Sequence, residues 1–214
     1  MAKLAIFIDH PRCSAEGVNG VINALEHKHT FKILTRGRPF DNFFDDVDAL
    51  IVPGGIGDAD TFNRVMKNNR RMIKKYMANG GRYLGICMGA YWAGPNYFNL
   101  LDNLDCVQYL TRPGTDTRRP HAKDLAVDWL GNEEKMFWYD GCAIVGSGQL
   151  DVVAKYANGD AMSGFQNRIG LIGSHPEADE NWYNSYTWLK PSWNSNKQHN
   201  WHLLSDFTDE LLTR

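Results

Sequence analysis

Gly85-Ile86-Cys87-Met88-Gly89 runs directly out of the apolar pair Tyr83-Leu84. A cysteine flanked by glycines two residues before and two after has the pattern of a nucleophile elbow. A strand there turns sharply into a helix, and residues without a Cβ leave room for the turn. Backbone N–H groups and the dipole at a helix N-terminus favour a thiolate over a thiol. Such a sulfur needs a base, and the base needs an orienting group. His175-Pro176-Glu177 offers both. Proline holds His175 extended, and residues i and i+2 of an extended segment project to one side, so the imidazole and the carboxylate are expected together. Acyl transfer also needs donors aimed at the developing oxyanion. The N–H of Met88 is one, and the side-chain-free backbone of Gly54-Gly55, after Pro53, is the natural second.

The elements that would position these residues alternate between strand and helix. Leu4 to Ile8, Phe31 to Leu34, Ala49 to Val52 and Tyr83 to Ile86 are short apolar runs of the kind buried in parallel sheets. Ser14 can cap a helix reaching Leu25, helical spacing returns between Thr61 and Met77, and a short helix over 88–94 is limited by Pro95. This order predicts a doubly wound, mostly parallel α/β sheet with helices on both faces. Asp151 to Ala157 and Ala161 to Phe165, joined across Asn158-Gly159-Asp160, predict a β-hairpin extension. Arg168 to Gly173 predicts a strand that delivers His175. Residues 102–135 are polar and punctuated by Pro113, Gly114 and Pro120, and are expected to form a mostly irregular insertion with little core. The aromatic-rich segment 180–214 is expected to pack on the sheet and to end in an amphipathic helix from Trp201 to Leu212.

With 214 residues, one domain is expected. Lys and Arg number 23 against 25 Asp and Glu, a formal charge of −2, so no bulk field points to nucleic acid or an acidic membrane. The N-terminal apolar run is too short for a signal peptide core or a membrane span. Four cysteines without a CxxC pair fit a reduced, cytoplasmic setting, and no metal or cofactor is implied. Cys13, Cys106 and Cys142 are read as buried thiols. Arg112, Arg118, Arg119 and His121 are read as an exposed polar loop rather than an anion site.

Taken together and in this order, Pro53-Gly54-Gly55, Gly85 to Gly89 and His175-Pro176-Glu177 resemble the class I glutamine amidotransferase-like superfamily. Gly85 to Tyr91, Trp138-Tyr139-Asp140-Gly141 and Gly173 to Glu177 most resemble its biotin-protein ligase N-terminal domain group. The resemblance implies a flavodoxin-like sheet, a Cys87–His175–Glu177 triad and an oxyanion hole from the Gly55 and Met88 N–H groups. It also implies a substrate side that includes Gly54, Tyr139, Asp140 and Gly141. The expected activity is cleavage of an amide through a thioester. Glutamine-hydrolysing members usually carry a glutamine four residues after the nucleophile; here that position is Tyr91, a substrate-side residue that leaves glutamine open as the amide. Amidotransferases pass ammonia to a synthase, so a separate acceptor partner is expected beside the small-molecule amide. Biotin ligation is excluded, because Thr35 to Phe40 lacks the outer glycines of the ligase nucleotide loop. The alternatives are a non-catalytic binding or regulatory module on the same fold, or a cysteine peptidase-like member.

Overall fold

In a computed structural model that describes residues 1–37, 42–193 and 199–214, the chain forms a mixed α/β structure around one continuous sheet. Arg38, Pro39 and Phe40 of the compared loop lie outside the described residues. The first half is built from β1 (Lys3–Ile8), α1 (Ala15–Leu25), β2 (Thr30–Thr35), β3 (Ala49–Val52), α2 (Ala59–Val65), α3 (Arg70–Ala78), β4 (Arg82–Ile86) and α4 (Met88–Ala93). The second half adds β5 (Leu104–Gln108), β6 (Lys123–Trp129), β7 (Asn132–Trp138), β8 (Cys142–Gly146), β9 (Asp151–Tyr156), β10 (Ala161–Gln166), β11 (Ile169–Ile172), α5 (Glu180–Asn184) and α6 (His199–Thr213).

Strands β2-β1-β3-β4-β11 run parallel in that spatial order, the flavodoxin-like arrangement, with β11 as the fifth strand. All four residues of β3 and of β11 are buried, as expected of strands covered on both faces. Neighbouring residues of these strands face opposite layers. A Cβ on Gly170 would meet Phe207 of α6, whereas a Cβ on Gly85, paired with Leu171, would lie 2.5 Å from Gly89 O in α4. Helices therefore cover both faces. Two of them are locally well started: the Gly17 N–H donates to Ser14 Oγ at 2.9 Å, and the Thr61 N–H donates to Asp58 Oδ1 at 2.6 Å. The helical stretch expected between Thr61 and Met77 is divided by a 3₁₀ turn at Lys67–Asn69. Asn69 is buried in that turn, its Nδ2 donating to Met66 Sδ at 3.7 Å.

The expected hairpin forms from β9 and β10, but the antiparallel part of the sheet is larger than one hairpin. Residues 102–135, expected to be mostly irregular, contribute β5, β6 and the start of β7. Strand β6 reads Lys-Asp-Leu-Ala-Val-Asp-Trp, and its Leu125, Val127 and Trp129 are buried while Ala126 and Asp128 are exposed. This alternation is that of a half-buried strand, with its aspartates on the alternate positions. Leu130 and Gly131, both at positive φ (51° and 86°), make the two-residue turn into β7. Helix α6 lies on the sheet as expected. The aromatic residues before it instead build a small second core of Ala122, Phe137, Ala178, Tyr183 and Leu189, with Trp182, Tyr186 and Trp193 packed against it.

Candidate active site

Strands β1, β3, β4 and β11 all end on one side of the sheet, and β1 and β3 flank the point where strand order reverses, where open α/β sheets form clefts. The segments leaving β1 and β3 are tied together by hydrogen bonds from Ser14 N–H to Gly54 O (3.2 Å) and Ile56 N–H to Arg12 O (2.8 Å). That bridge leaves the Gly55 N–H out of the pairing. Between these segments and the C-terminal end of β7 lies a cleft of about 440 Å³ lined by Cys87, His175, Gly54, Gly55, Phe137 and Tyr139, and by Ser14, Glu16, Asn181, Trp182, Ser185 and Tyr186.

Cys87 sits between β4 and α4 at φ 48° and ψ −101°, a backbone conformation that a non-glycine residue adopts only under strain. Its N–H donates to Ile172 O at 2.8 Å, which fixes the elbow to β11. Both flanking glycines are sterically required. A Cβ on Gly85 would press on the Gly89 carbonyl, and one on Gly89 would fall on Val52 O. Met88 opens α4, so its N–H has no acceptor within the helix. Its sulfur packs against Gly55, where a Cβ would come within 2.7 Å of Met88 Sδ.

His175 is buried at the exit of β11, held by its N–H donating to Phe137 O at 2.9 Å. Nδ1 lies 2.9 Å from Glu177 Oε1, so the i and i+2 side chains meet as the His-Pro-Glu pattern predicts. Glu177 is fully buried, and its Oε2 has no hydrogen-bond partner among the described residues. Gly54 lies flat against the imidazole, since a Cβ there would be 2.5 Å from His175 Cε1. Burial pulls the His175 pKa down, but the Glu177 carboxylate and the neighbouring Cys87 outweigh it and raise it from 6.5 to about 10. The Cys87 Sγ also faces Tyr139 O at 3.8 Å.

The structure thus brings Cys87, His175, Glu177, Gly54, Gly55, Met88 and Tyr139 together. Tyr91, Asp140 and Gly141 lie behind the cleft lining. The Tyr91 hydroxyl donates to Asp140 O at 3.1 Å, and its ring packs on Gly57. Burial pushes the Tyr91 phenol well above its ordinary value. The Asp140 carboxylate, raised by burial, accepts from Gln108 Nε2 at 2.9 and 3.2 Å. Gly141 packs against Gly173 O and the Trp138 indole, a contact that leaves no space for a side chain. Arg112 is held by Asp160 (2.8 and 3.2 Å) at the β9–β10 turn. Cys13 is buried, with its thiol pushed up to about 12 by desolvation. Among the described residues, no group of three His, Cys, Asp or Glu is placed to hold a metal ion, and no helix is long and apolar enough to cross a membrane. Phe137, Trp182, Tyr186 and Glu16 are cleft residues that the sequence does not mark as such. The aromatic richness of the 180s points to Trp182 and Tyr186 alone, and it is equally a signal of packing.

Residues 38–102 match the family model described as biotin-protein ligase, N terminal. A glutamine amidotransferase from Thermotoga maritima superposes with a TM-score of 0.72 at 11% identity, covering 100% of this chain and 99% of that one. PurLQS from Thermotoga maritima gives 0.66 at 14% identity over 99% and 100%. A glutamine amido transferase from Methylobacillus flagellatus gives 0.61 at 12% over 99% and 92%. No curated protein matches the sequence significantly. The fold is the class I glutamine amidotransferase-like one. Within it, residues 38–102 resemble the N-terminal part of biotin-protein ligases.

Proposed function

We propose that this protein is a cysteine hydrolase or amidotransferase that cleaves an amide through a thioester, with Cys87 as nucleophile, His175 as acid and base and Glu177 as the group that orients His175. One observation carries the reading. A strained cysteine elbow opens into the same cleft as a buried imidazole whose other nitrogen is 2.9 Å from a buried carboxylate. The Glu177 carboxylate favours the imidazolium form of His175, which suits His175 to take the Cys87 proton as the sulfur attacks. Cys87 attacks the amide carbon, and the oxygen takes the electron pair toward the Gly55 and Met88 N–H groups. The intermediate collapses as the C–N bond breaks, and His175 gives its proton to the leaving ammonia or amine. Water then attacks the thioester, His175 takes its proton, the C–S bond breaks and the carboxylic acid leaves.

The structural likeness to PurLQS is consistent with a separate synthase partner that would accept the released ammonia. The test is ammonia release from glutamine and a panel of primary amides, with and without candidate acceptors. Turnover that persists in Cys87→Ala overturns the reading. A non-catalytic binding module is favoured by the contact of Cys87 Sγ with Tyr139 O, which engages the sulfur inside the protein. Stoichiometric, His175-dependent alkylation of Cys87 at neutral pH overturns that alternative.

A further inference from the structure

The walls of the cleft differ sharply in chemistry. Four aromatic side chains, Phe137, Tyr139, Trp182 and Tyr186, line the cleft with the sulfur and the glycine backbone. Phe137 and Trp182 meet edge to face at 5.1 Å, Tyr186 lies 6.1 Å from Phe137, and Trp182 lies 5.1 Å from the His175 ring. Apart from the cysteine and histidine themselves, the lining holds one ionisable carboxylate, Glu16 in the first turn of α1, and no lysine or arginine among the described residues. The remaining polar groups, Ser14, Asn181 and Ser185, are neutral.

We infer, on the basis of the amide-cleaving reading above, that the substrate is an amide carried on an aromatic or flat apolar body, neutral or cationic where it faces Glu16 and without a carboxylate. Aromatic walls reward flat apolar groups and attract cations through the ring faces. A substrate carboxylate on the side of Glu16 would find no lysine or arginine in the described lining to pair with, while the charge of His175 is already matched by Glu177, and like charges disfavour binding. The volume suits an acyl group of about the size of a substituted benzene, within the usual range for small-molecule sites. Free glutamine, which carries a carboxylate and no aromatic body, is a poor match.

Alkylation of Cys87 by iodoacetamide, iodoacetate and N-benzyl-iodoacetamide tests this without any turnover. In each reaction the sulfur displaces iodide and forms one C–S bond, read by mass spectrometry on the Cys87 peptide and scaled to a free cysteine derivative. The expected order is N-benzyl-iodoacetamide fastest, by roughly three- to tenfold over iodoacetamide, a change within the range of one aromatic contact. Iodoacetate is expected slowest, by on the order of fivefold. Glu16→Gln should shrink the iodoacetate penalty, and Trp182→Phe should preserve part of the benzyl advantage that Trp182→Ala loses. Relative rates equal to those of the free thiol overturn the inference, as does a Cys87 that none of the three reagents reaches. If the selectivity holds while the rates are indifferent to His175→Ala, the triad reading fails and the cleft inference stands.

Discussion

At the scale of single residues, the buried charge pair decides most. Glu177 is fully buried, with one oxygen accepting from His175 and the other without a partner among the described residues, so the imidazole is what offsets the burial of this side chain. Removing only one partner of a buried pair strands the other. His175→Ala should therefore destabilise the protein by about 3–5 kcal/mol in chemical denaturation. The double variant His175→Ala/Glu177→Gln should be more stable than the single one, and additive losses would refute the coupling. The same pair sets a pH dependence. The His175 pKa is raised in the folded protein from 6.5 to about 10. Its contribution to stability is therefore complete below pH 6.5 and is lost as the pH climbs to about 10. Denaturation midpoints across that window should show the wild type losing its advantage over Glu177→Gln as the pH rises; a difference that is flat or that grows contradicts the assignment.

At the scale of elements, the strand–helix elbow trades local strain for position. Cys87 holds φ 48° and ψ −101° because Gly85 and Gly89 let α4 close onto β4 and β3. Replacing the cysteine by glycine should relieve that strain, whereas alanine should keep it. Cys87→Gly is expected to exceed Cys87→Ala in thermal stability, by about 1 kcal/mol after conversion. Equal midpoints would mean that the elbow is unstrained. Gly89→Ala, by contrast, should cost about 3 kcal/mol or more, since the new methyl meets the backbone of β3 and has no flexible neighbour to displace. These glycines and the His-x-Glu spacing make the elbow legible in the sequence, because each answers a local steric demand. Continuous apolar runs make the parallel strands legible in the same way. Strand β6 is less so, because its alternation has only three buried members, Leu125, Val127 and Trp129, and lies between polar, proline- and glycine-punctuated stretches that read as loop. Phe137 and Trp182 are illegible as cleft residues for another reason. An aromatic side chain that packs and one that lines a cleft look alike until the fold brings β7 and α5 beside β11.

At the scale of the whole molecule, α6 links the stability of the sheet to the site through two ends with different duties. Near its start, the Trp201 indole N–H donates to Glu177 O at 3.2 Å. Further along, Phe207 stacks on Phe165 at 4.1 Å, meets Trp129 at 6.1 Å and covers Gly170 on the face of the sheet away from α4. Phe207→Ala should therefore remove about 3–5 kcal/mol of stability. It should leave the alkylation rate of Cys87, per folded molecule, within about twofold, since its site shares no partner with the elbow. Trp201→Phe keeps most of the buried area and loses one hydrogen bond to the backbone that carries the Glu177 carboxylate. Its stability loss should be only about 1 kcal/mol. Its effect on the His175-dependent part of the alkylation rate should exceed that of Phe207→Ala. Denaturation and alkylation measured on both variants separate the two duties: a Phe207→Ala protein that slows Cys87 more than Trp201→Phe does would show that the helix supports the site through the sheet core rather than through Glu177.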